Sequence, residues 1–284
     1  MKAPTHLVVP DTQCRAGVPL DHLRWAGLYI VDRRPDVIIH LGDHWDMPSL
    51  SAYDAPGSMK MEGARYEDDI KAGNDGMELL LAPLKKLQAK LKHDKKKAYS
   101  PRLVFLRGNH EERVMRAINQ QPKYAGMIGY HHMNTSDWEV HEFNSPVVID
   151  GVAYSHFYPN PNSGKPWGGN AHNVLQKLAH SFTQGHRQGM DSAERYNQIT
   201  GSLMRGLIMG SFYLHDEEYK GTQGNHHYRG LVVKHRVLRG GYTKMEVDLE
   251  YLCEEYEGGK TVSEFLRGKY ENAEHRFTEA RGAA

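Results

Sequence analysis

Three short apolar runs, each followed at once by a cluster of polar residues, most constrain the fold of this chain. The runs and the polar residues after them are 7–9 before Asp11, 37–41 before Asp43, and 103–106 before Asn109. Apolar residues spaced for one face of a helix lie between the runs, in 20–30 and in 66–91. Alternating strands and helices are typical of parallel βαβ units, whose chemistry lies in loops at the carboxyl ends of the strands. The pattern therefore predicts an α/β fold with polar residues gathered at one edge of a sheet.

The second half of the chain has the pattern of antiparallel strands. Asp150-Gly151 and Gly240-Gly241 each separate two runs rich in apolar and β-branched residues. Such pairs supply the positive φ angles of tight two-residue turns, so both predict β-hairpins. The residues after the second hairpin are strongly charged and predict helices. We therefore expect one domain over residues 1–250, followed by a charged helical tail at 251–284.

Composition excludes several classes of protein. Of the 284 residues, 39% are apolar and 25% are charged, which is ordinary for a globular chain. No run approaches eighteen apolar residues, and residues 1–9 are too short for a signal peptide, so neither a membrane span nor a leader is expected. The two cysteines form no framework, which favours a reducing cytoplasm. With 36 basic and 35 acidic residues, the net charge does not indicate binding to nucleic acid or anionic lipid.

Five short polar motifs follow one another along the chain, each beside the end of a predicted strand. They are Asp11-x-Gln13, Gly42-Asp43-x-x-Asp46, Gly108-Asn109-His110-Glu111, His156, and Gly185-His186-x-Gln188. Each motif alone also fits an ordinary role, because Asp and Asn are common in turns and at helix N-termini, and an isolated strand histidine is more often a packed core residue. If none of the motifs belonged to a site, all five would have to have ordinary roles and still occur in this order at strand ends. We therefore favour one shared site.

Together the motifs resemble the ordered signature of calcineurin-like metallophosphoesterases, DxH, GDxxD, GNH[DE], H and GHxH, over roughly residues 5–250 of this chain. The resemblance implies a four-layer α/β sandwich of two mixed β-sheets flanked by helices. It also implies two divalent metal ions and hydrolysis of phosphate esters, with phosphodiesters favoured, by attack of a metal-activated water. The stretch at 224–227 is also similar to phosphoesterases encoded by tailed phages, which would place the protein in the cytoplasm of a host cell.

Applied position by position, the resemblance implies a role for each polar residue. It assigns one ion to Asp11, Gln13, Asp43 and Gln188, and the other to Asp43, Asn109, His156 and His186. Asp43 is thereby implied to bridge the two ions. His110 is implied to donate a proton to the leaving oxygen, with Asp46 orienting its ring. His44 lies inside the second motif, so we expect it to contact the substrate at the mouth of the site, together with Asn109.

Two positions depart from the family pattern. Gln13 and Gln188 stand where the family has histidines, and both changes fall on the same ion. Amide oxygens are harder and weaker ligands than imidazole, so we expect this ion to be Mn²⁺ or Mg²⁺ and to be held loosely. Mn²⁺ is the preferred ion for the site as a whole, with Mg²⁺, Ni²⁺, Fe²⁺ and Zn²⁺ as alternatives. A site that has become mononuclear is the rival interpretation.

Three functions stay open on the sequence alone. The first is a phosphoesterase acting on small or nucleotide-like diesters, and the second is a DNA or RNA nuclease of the same superfamily. A nuclease needs a basic or aromatic groove, for which the lysine-rich stretch 85–97, Arg113, Arg116 and Trp167 are the candidates. The third is a metal-binding protein that has lost turnover. The expected partner is a phosphate-ester substrate, which includes nucleotides and nucleic acid, and no membrane partner is expected. The natural substrate and the oligomeric state do not follow from the residues.

Overall fold

A computed structural model of the protein describes residues 3–52, 61–217 and 220–271. In chain order the strands are β1 (His6–Val9), β2 (Val37–His40), β3 (Arg102–Leu106), β4 (Glu139–His141), β5 (Val147–Ile149), β6 (Val152–Ser155), β7 (Phe182–Gln184), β8 (Asp191–Tyr196), β9 (Leu203–Ile208), β10 (Gly230–Leu238) and β11 (Gly241–Asp248). The α-helices are α1 (Asp21–Arg33), α2 (Tyr66–His93), α3 (Arg113–Gln120), α4 (Ala171–Leu178), α5 (Gly221–Gly224), α6 (Leu249–Tyr256) and α7 (Val262–Leu266). Short 3-10 helices lie at Pro48–Leu50, Pro122–Tyr124 and Tyr130–His132, and a π-helical turn lies at Arg267–Glu271.

The strands form two mixed sheets. The first has the order β11-β10-β1-β2-β3-β4, in which β1 to β4 are parallel and β10 pairs with β1 antiparallel. The second has the order β5-β6-β7-β9-β8, with β6, β7 and β9 parallel and the two edge strands antiparallel. Within each sheet the central parallel strands therefore end at the same edge.

Three groups of buried apolar side chains separate the layers. Val8, Ile39 and Tyr154 belong to the group between the two sheets. A second group joins α1, α2 and α6 to the outer face of the first sheet, and a third packs α4 on the outer face of the second sheet. Burying one such large side chain stabilises the fold by roughly 1.5–3 kcal/mol. The layers are thus helix, sheet, sheet and helix, and the predicted α/β sandwich of two mixed sheets flanked by helices is confirmed.

Both predicted hairpins are present. Asp150 and Gly151 have φ angles of 51° and 84° and join β5 to β6, as a tight turn of this type requires. The second turn is centred one residue earlier than predicted, at Arg239 and Gly240, whose φ angles are 50° and 84°. The two turns contact each other, since a Cβ atom on Gly151 would lie 2.4 Å from the backbone nitrogen of Gly240.

The residues after β11 pack into the same core as the sheets. Leu252 and Cys253 of α6 are fully buried against α1, and the ring of Phe265 in α7 meets Trp25 edge-on at 5.2 Å. Of the predicted tail 251–284, the part up to residue 271 therefore packs against the domain, and residues 272–284 lie outside the described residues. Within the described part of the chain, none of the helices has the length and apolar character needed to cross a membrane.

Candidate metal centre and acid pair

The loops after β1, β2 and β3 meet those after β6 and β7 where the two sheets come together. Asp43, His156 and His186 each offer a ligand atom within 4.8 Å of the others. The Oδ1 atom of Asn109 accepts hydrogen bonds from His156 Nε2 at 2.9 Å and from His186 Nδ1 at 2.7 Å. His156 Nε2 also lies 3.2 Å from Asp43 Oδ2. The structure thus gathers at one point the four residues that the sequence assigned to the second ion.

The ring of His156 is fixed by a hydrogen bond on its far side. Its Nδ1 atom donates to the carbonyl oxygen of Leu41 at 2.8 Å, which leaves Nε2 facing the cluster. Metal-binding histidines commonly have such a partner, because it selects the tautomer and orients the ring. His156 is therefore held in the orientation that a ligand needs.

The residues assigned to the first ion lie beside this cluster. Asp11 Oδ1 accepts from the backbone N–H of His186 at 3.1 Å, whereas Asp11 Oδ2 and Gln13 Oε1 are buried without a hydrogen-bond partner among the described residues. The amide oxygen of Gln188 is buried as well. A buried oxygen without a donor costs about 1–3 kcal/mol, and a bound cation would remove that cost. The unsatisfied oxygens and the donor set both fit a divalent metal ion.

The protonation equilibria of the site indicate a deficit of positive charge. Burial raises the pKa of Asp11 to about 7, although His156 opposes the shift. Burial alone would lower the pKa of His156, but the carboxylates of Asp43 and Asp11 raise it to about 9. Burial would also raise the pKa of Asp43, yet His110 and His156 hold it below its ordinary value. Buried carboxylates that retain protons or attract imidazolium near neutral pH are typical of functional sites, and cations would supply the missing charge.

The backbone is strained where these side chains converge. Gln13, Asp43 and His186 have φ angles of 40°, 48° and 65°, in the left-handed region that non-glycine residues rarely occupy. The motif glycines have a related purpose. A Cβ atom on Gly108 would lie 2.1 Å from Asp43 Oδ1, and one on Gly185 would lie 2.3 Å from Asp11 Oδ1. Glycine is therefore required at both positions, because any side chain there would collide with the carboxylate that lies against it.

Glu111 supports the loop that carries Asp43, a role that the sequence analysis missed. Its carboxylate is fully buried and accepts four backbone N–H groups, those of Asp43, His44, Trp45 and Gly108, at 2.6–3.0 Å. These bonds tie the loop after β2 to the loop after β3. The only sequence signal for this role was the acidic residue at the last position of the third motif. By sequence alone, an acidic residue there also fits the first turn of a helix.

Replacing Glu111 by glutamine should destabilise the protein by about 2–4 kcal/mol, because whichever side-chain atom becomes the amide nitrogen would face two backbone donors. The loop that carries Asp43 should also become less well ordered, since it would lose two of its backbone hydrogen bonds to one side-chain oxygen. Denaturant unfolding of Glu111→Gln would measure the loss. The matched control is Glu112→Gln, because the glutamine oxygen can still accept from Tyr130 Oη, the present partner of Glu112. Equal stability of the two variants would contradict this role.

His110 forms an acid pair with Asp46 at the edge of the cluster. Its Nδ1 atom donates to Asp46 Oδ1 at 2.7 Å, and its Nε2 atom lies 3.7 Å from Asp43 Oδ2. Burial would lower the pKa of His110, but the carboxylates of Asp43 and Asp46 raise it above its ordinary value. Arg113 Nη2 lies 3.2 Å from Nε2, so Nε2 accepts from Arg113 in this arrangement. To donate a proton, Nε2 must exchange that contact for a leaving oxygen.

Arg15 is a second residue that the sequence analysis missed. Its Nη1 atom donates to Asp46 Oδ2 at 3.2 Å and to Glu217 Oε2 at 3.2 Å. Glu217 in turn contacts His215 Nε2 at 3.0 Å. Arg15 therefore links the carboxylate that orients His110 to the loop after β9. No motif marks it, because its partners are far away in the chain.

The prediction that His44 contacts substrate at the mouth of the site is wrong. The residue is 0% exposed, and its ring points toward α2. Its Nε2 atom donates to the carbonyl oxygen of Gly73 at 2.8 Å, and its Nδ1 atom accepts from Thr12 Oγ1 at 2.7 Å. Both ring nitrogens are thus used in packing the loop against the helix, and neither is available to a substrate.

No protein-family model matches this sequence, and a comparison with curated proteins gives no match. Among solved structures, the chain is similar to a conserved uncharacterized protein of Streptococcus pneumoniae TIGR4, a predicted phosphoesterase. The two share 12% sequence identity, with 87% of this chain and 99% of that chain covered, at a TM-score of 0.29. A similarity of this size carries no argument about function, which has to come from the site itself.

Proposed function

We propose that the protein is a metal-dependent phosphoesterase that hydrolyses phosphodiesters. The observation that carries this proposal is the convergence of Asp43, Asn109, His156 and His186 on one point, beside the unsatisfied buried oxygens of Asp11 and Gln13. Nothing in ordinary packing requires two imidazoles and a carboxylate to share a point of convergence. A two-ion site would use them all, and Asp43 would belong to both sets of ligands.

The residues of the chain divide the chemistry between them. Two divalent ions bound at such a site would acidify a water and neutralise the phosphoryl oxygens. Asp11, Gln13, Asp43 and Gln188 would hold one ion, and Asp43, Asn109, His156 and His186 the other. His110 gives its Nε2 proton to the leaving oxygen as the bond from phosphorus to that oxygen breaks, and Asp46 keeps the ring in position. The water oxygen replaces the leaving group on phosphorus, so no covalent enzyme intermediate forms.

The acid pair favours an enzyme over a metal-binding protein without turnover. Holding metal does not require His110 to be oriented by Asp46 through a 2.7 Å hydrogen bond, whereas protonating a leaving group does. Metal identity, a phage origin and a cytoplasmic location stay predictions.

A substrate panel on the purified protein with added Mn²⁺ tests the proposed function. Bis(p-nitrophenyl) phosphate, p-nitrophenyl phosphate, a cyclic nucleotide and single-stranded DNA and RNA should be offered in parallel. We expect hydrolysis of the nitrophenyl diester, and faster hydrolysis of it than of the monoester. Failure to hydrolyse any diester with Mn²⁺, Mg²⁺, Ni²⁺, Fe²⁺ or Zn²⁺ would contradict it.

The two glutamines predict that the two metal ions are bound with unequal affinity. If Gln13 and Gln188 bind through amide oxygens, the first ion should be lost during dialysis, and the retained metal should be nearer one ion per chain than two. The double change Gln13→His with Gln188→His should tighten the first ion and shift the metal preference toward Zn²⁺. Each single change should do less, because the two ligands share one ion. Elemental analysis after dialysis measures the stoichiometry, and two tightly held ions in the native protein would contradict this interpretation.

A further inference from the structure

A cleft of about 460 Å³ opens beside the acid pair. It lies between the 3-10 helix at Pro48–Leu50, helix α3 and the 3-10 helix at Pro122–Tyr124. Its lining includes Arg113, Arg116 and Tyr124, and none of the described residues that line it is acidic. Its volume lies in the range of small-molecule sites, roughly 300–1,000 Å³.

Arg113 lies between the cleft and His110, the proposed proton donor. This residue lines the cleft, and its Nη2 atom lies 3.2 Å from His110 Nε2 while its Nη1 atom donates to the carbonyl oxygen of Asp46 at 2.9 Å. A leaving oxygen must come within hydrogen-bond distance of His110 Nε2, the position that Arg113 now occupies. Asp43 Oδ2, which belongs to the metal-ligand cluster, lies 3.7 Å from the same Nε2 atom, so a phosphate held at that cluster would reach Nε2 from the side of Asp43. The group attached to the leaving oxygen therefore extends toward Arg113 and into the cleft.

The lining residues indicate what that group is. Arg113 and Arg116 bring two guanidinium groups to a cleft whose described lining residues include no carboxylate. Arg113 also faces the carboxylate of Asp46 behind the cleft, so Arg116 is the better partner for an anion, and arginine suits phosphate oxygens in particular. Arg116 is exposed and is held near the site by a 2.6 Å hydrogen bond from its Nη2 atom to the carbonyl oxygen of Asn109. Tyr124 lines the cleft and is half-buried, with Lys123 Nζ 5.3 Å from its ring centroid. The other face of the ring is the one against which a planar base can stack.

Other basic or aromatic candidates do not share this position. The lysines of 85–97 all lie on exposed positions of α2 and of the loop after it, as solvated side chains do. Trp167 packs against the group of α4, with Lys177 Nζ 4.2 Å from its ring centroid. Of the sequence candidates for a nucleic-acid groove, only Arg113 and Arg116 line the cleft.

We propose that this cleft binds the leaving group and that the leaving group is a nucleotide. Its base stacks on Tyr124, and its own phosphate, distinct from the one being hydrolysed, binds Arg116. This inference rests on the proposed phosphoesterase function and adds a substrate class to it. The substrate is an oligonucleotide whose departing nucleoside carries a second phosphate.

Three dinucleotides test the proposal: thymidylyl-thymidine, and the same compound with a terminal phosphate on the 3′ side or on the 5′ side. In one of the two phosphorylated forms the extra phosphate lies on the leaving nucleoside. The kcat/KM of that form should exceed that of the plain dinucleotide by roughly 10-fold or more, which is the effect of one charge-assisted contact. Arg116→Gln should reduce that advantage to within about twofold. Arg195→Gln, which removes an exposed arginine from β8, should retain the advantage and is the matched control.

A second variant and a longer substrate complete the test. Tyr124→Leu should slow all three dinucleotides relative to bis(p-nitrophenyl) phosphate by roughly 5–100-fold, the range of base stacking on an aromatic ring. Decathymidylate distinguishes a nucleic-acid strand from a free dinucleotide as the source of such a leaving group. A further gain over the favoured dinucleotide indicates a strand, and equal efficiency indicates free dinucleotides.

The outcomes separate this inference from the function beneath it. Hydrolysis of bis(p-nitrophenyl) phosphate together with equal kcat/KM for the three dinucleotides would overturn the nucleotide leaving group and leave the phosphoesterase intact. An advantage that survives Arg116→Gln would overturn the assignment of the second phosphate to Arg116. Failure to hydrolyse any diester, the nitrophenyl compound included, would remove both proposals.

Discussion

Asp43→Asn is expected to abolish hydrolysis and to lower the bound metal sharply. The residue is assigned to both ions, and its carboxylate lies 3.2 Å from His156 Nε2 while accepting the backbone N–H of His110 at 2.9 Å. Loss of a residue that merely supports a metal ligand already costs about 10–100-fold in affinity or activity, so loss of a bridging ligand should cost more. Elemental analysis and hydrolysis of bis(p-nitrophenyl) phosphate measure the two effects on one preparation.

Asp248→Asn is the matched control for this change. Asp248 caps α6 by accepting the backbone N–H of Tyr251 at 2.7 Å, and asparagine caps helices about as well. The control should keep its metal and its activity. Folded Asp43→Asn protein with native metal content and native activity would contradict the two-ion site.

His110→Asn should slow the substrates with poor leaving groups most. General acid catalysis contributes about 10²–10⁴-fold when the leaving group needs a proton, and far less for nitrophenolate, which leaves without one. The variant should therefore lose much more activity on a dinucleotide than on bis(p-nitrophenyl) phosphate. The measurement is kcat/KM on both substrates.

The control for this second change is His141→Asn, which removes a partly exposed histidine from β4, where it contacts Glu139. It should leave both rates near their native values. Equal losses on the two substrates in His110→Asn would instead indicate that His110 has a metal-binding or structural role.

The fold was predictable because short sequence patterns determine its elements. Apolar runs before Asp11, Asp43 and Asn109 predicted parallel strands that end at one edge, and β1, β2 and β3 are neighbours in the first sheet. The pairs at Asp150 and Gly240 predicted hairpins because few residues accept positive φ angles. Each of these signals lies within a few residues, so no knowledge of distant contacts was needed.

The parts of the site that were missed depend on contacts between distant segments. Arg15 reaches Glu217 across 202 positions of the chain, and no local pattern encodes such a pair. Glu111 looked like a helix residue because its four donors come from two different loops. His44 was misplaced for a related reason. Its position within the second motif suggested the mouth of the site, but the approach of α2 at Gly73 determines where the ring points.

The glutamines show where family resemblance and physical reasoning lead in different directions. The family pattern supplies histidine at positions 13 and 188, whereas Gln13 here presents a buried oxygen without a donor. An amide oxygen in that setting suits a hard cation better than a soft one. The unsatisfied oxygen of Gln13 therefore supports our proposal of a first ion, which we expect to be held loosely.

Metal removal and restoration tests the central claim most directly. Protein treated with a chelator and dialysed should not hydrolyse bis(p-nitrophenyl) phosphate, and activity should return in proportion to the Mn²⁺ bound per chain as the ion is titrated back. Metal content and rate should be read on the same samples. Hydrolysis at the native rate by protein shown to be free of metal would contradict the account.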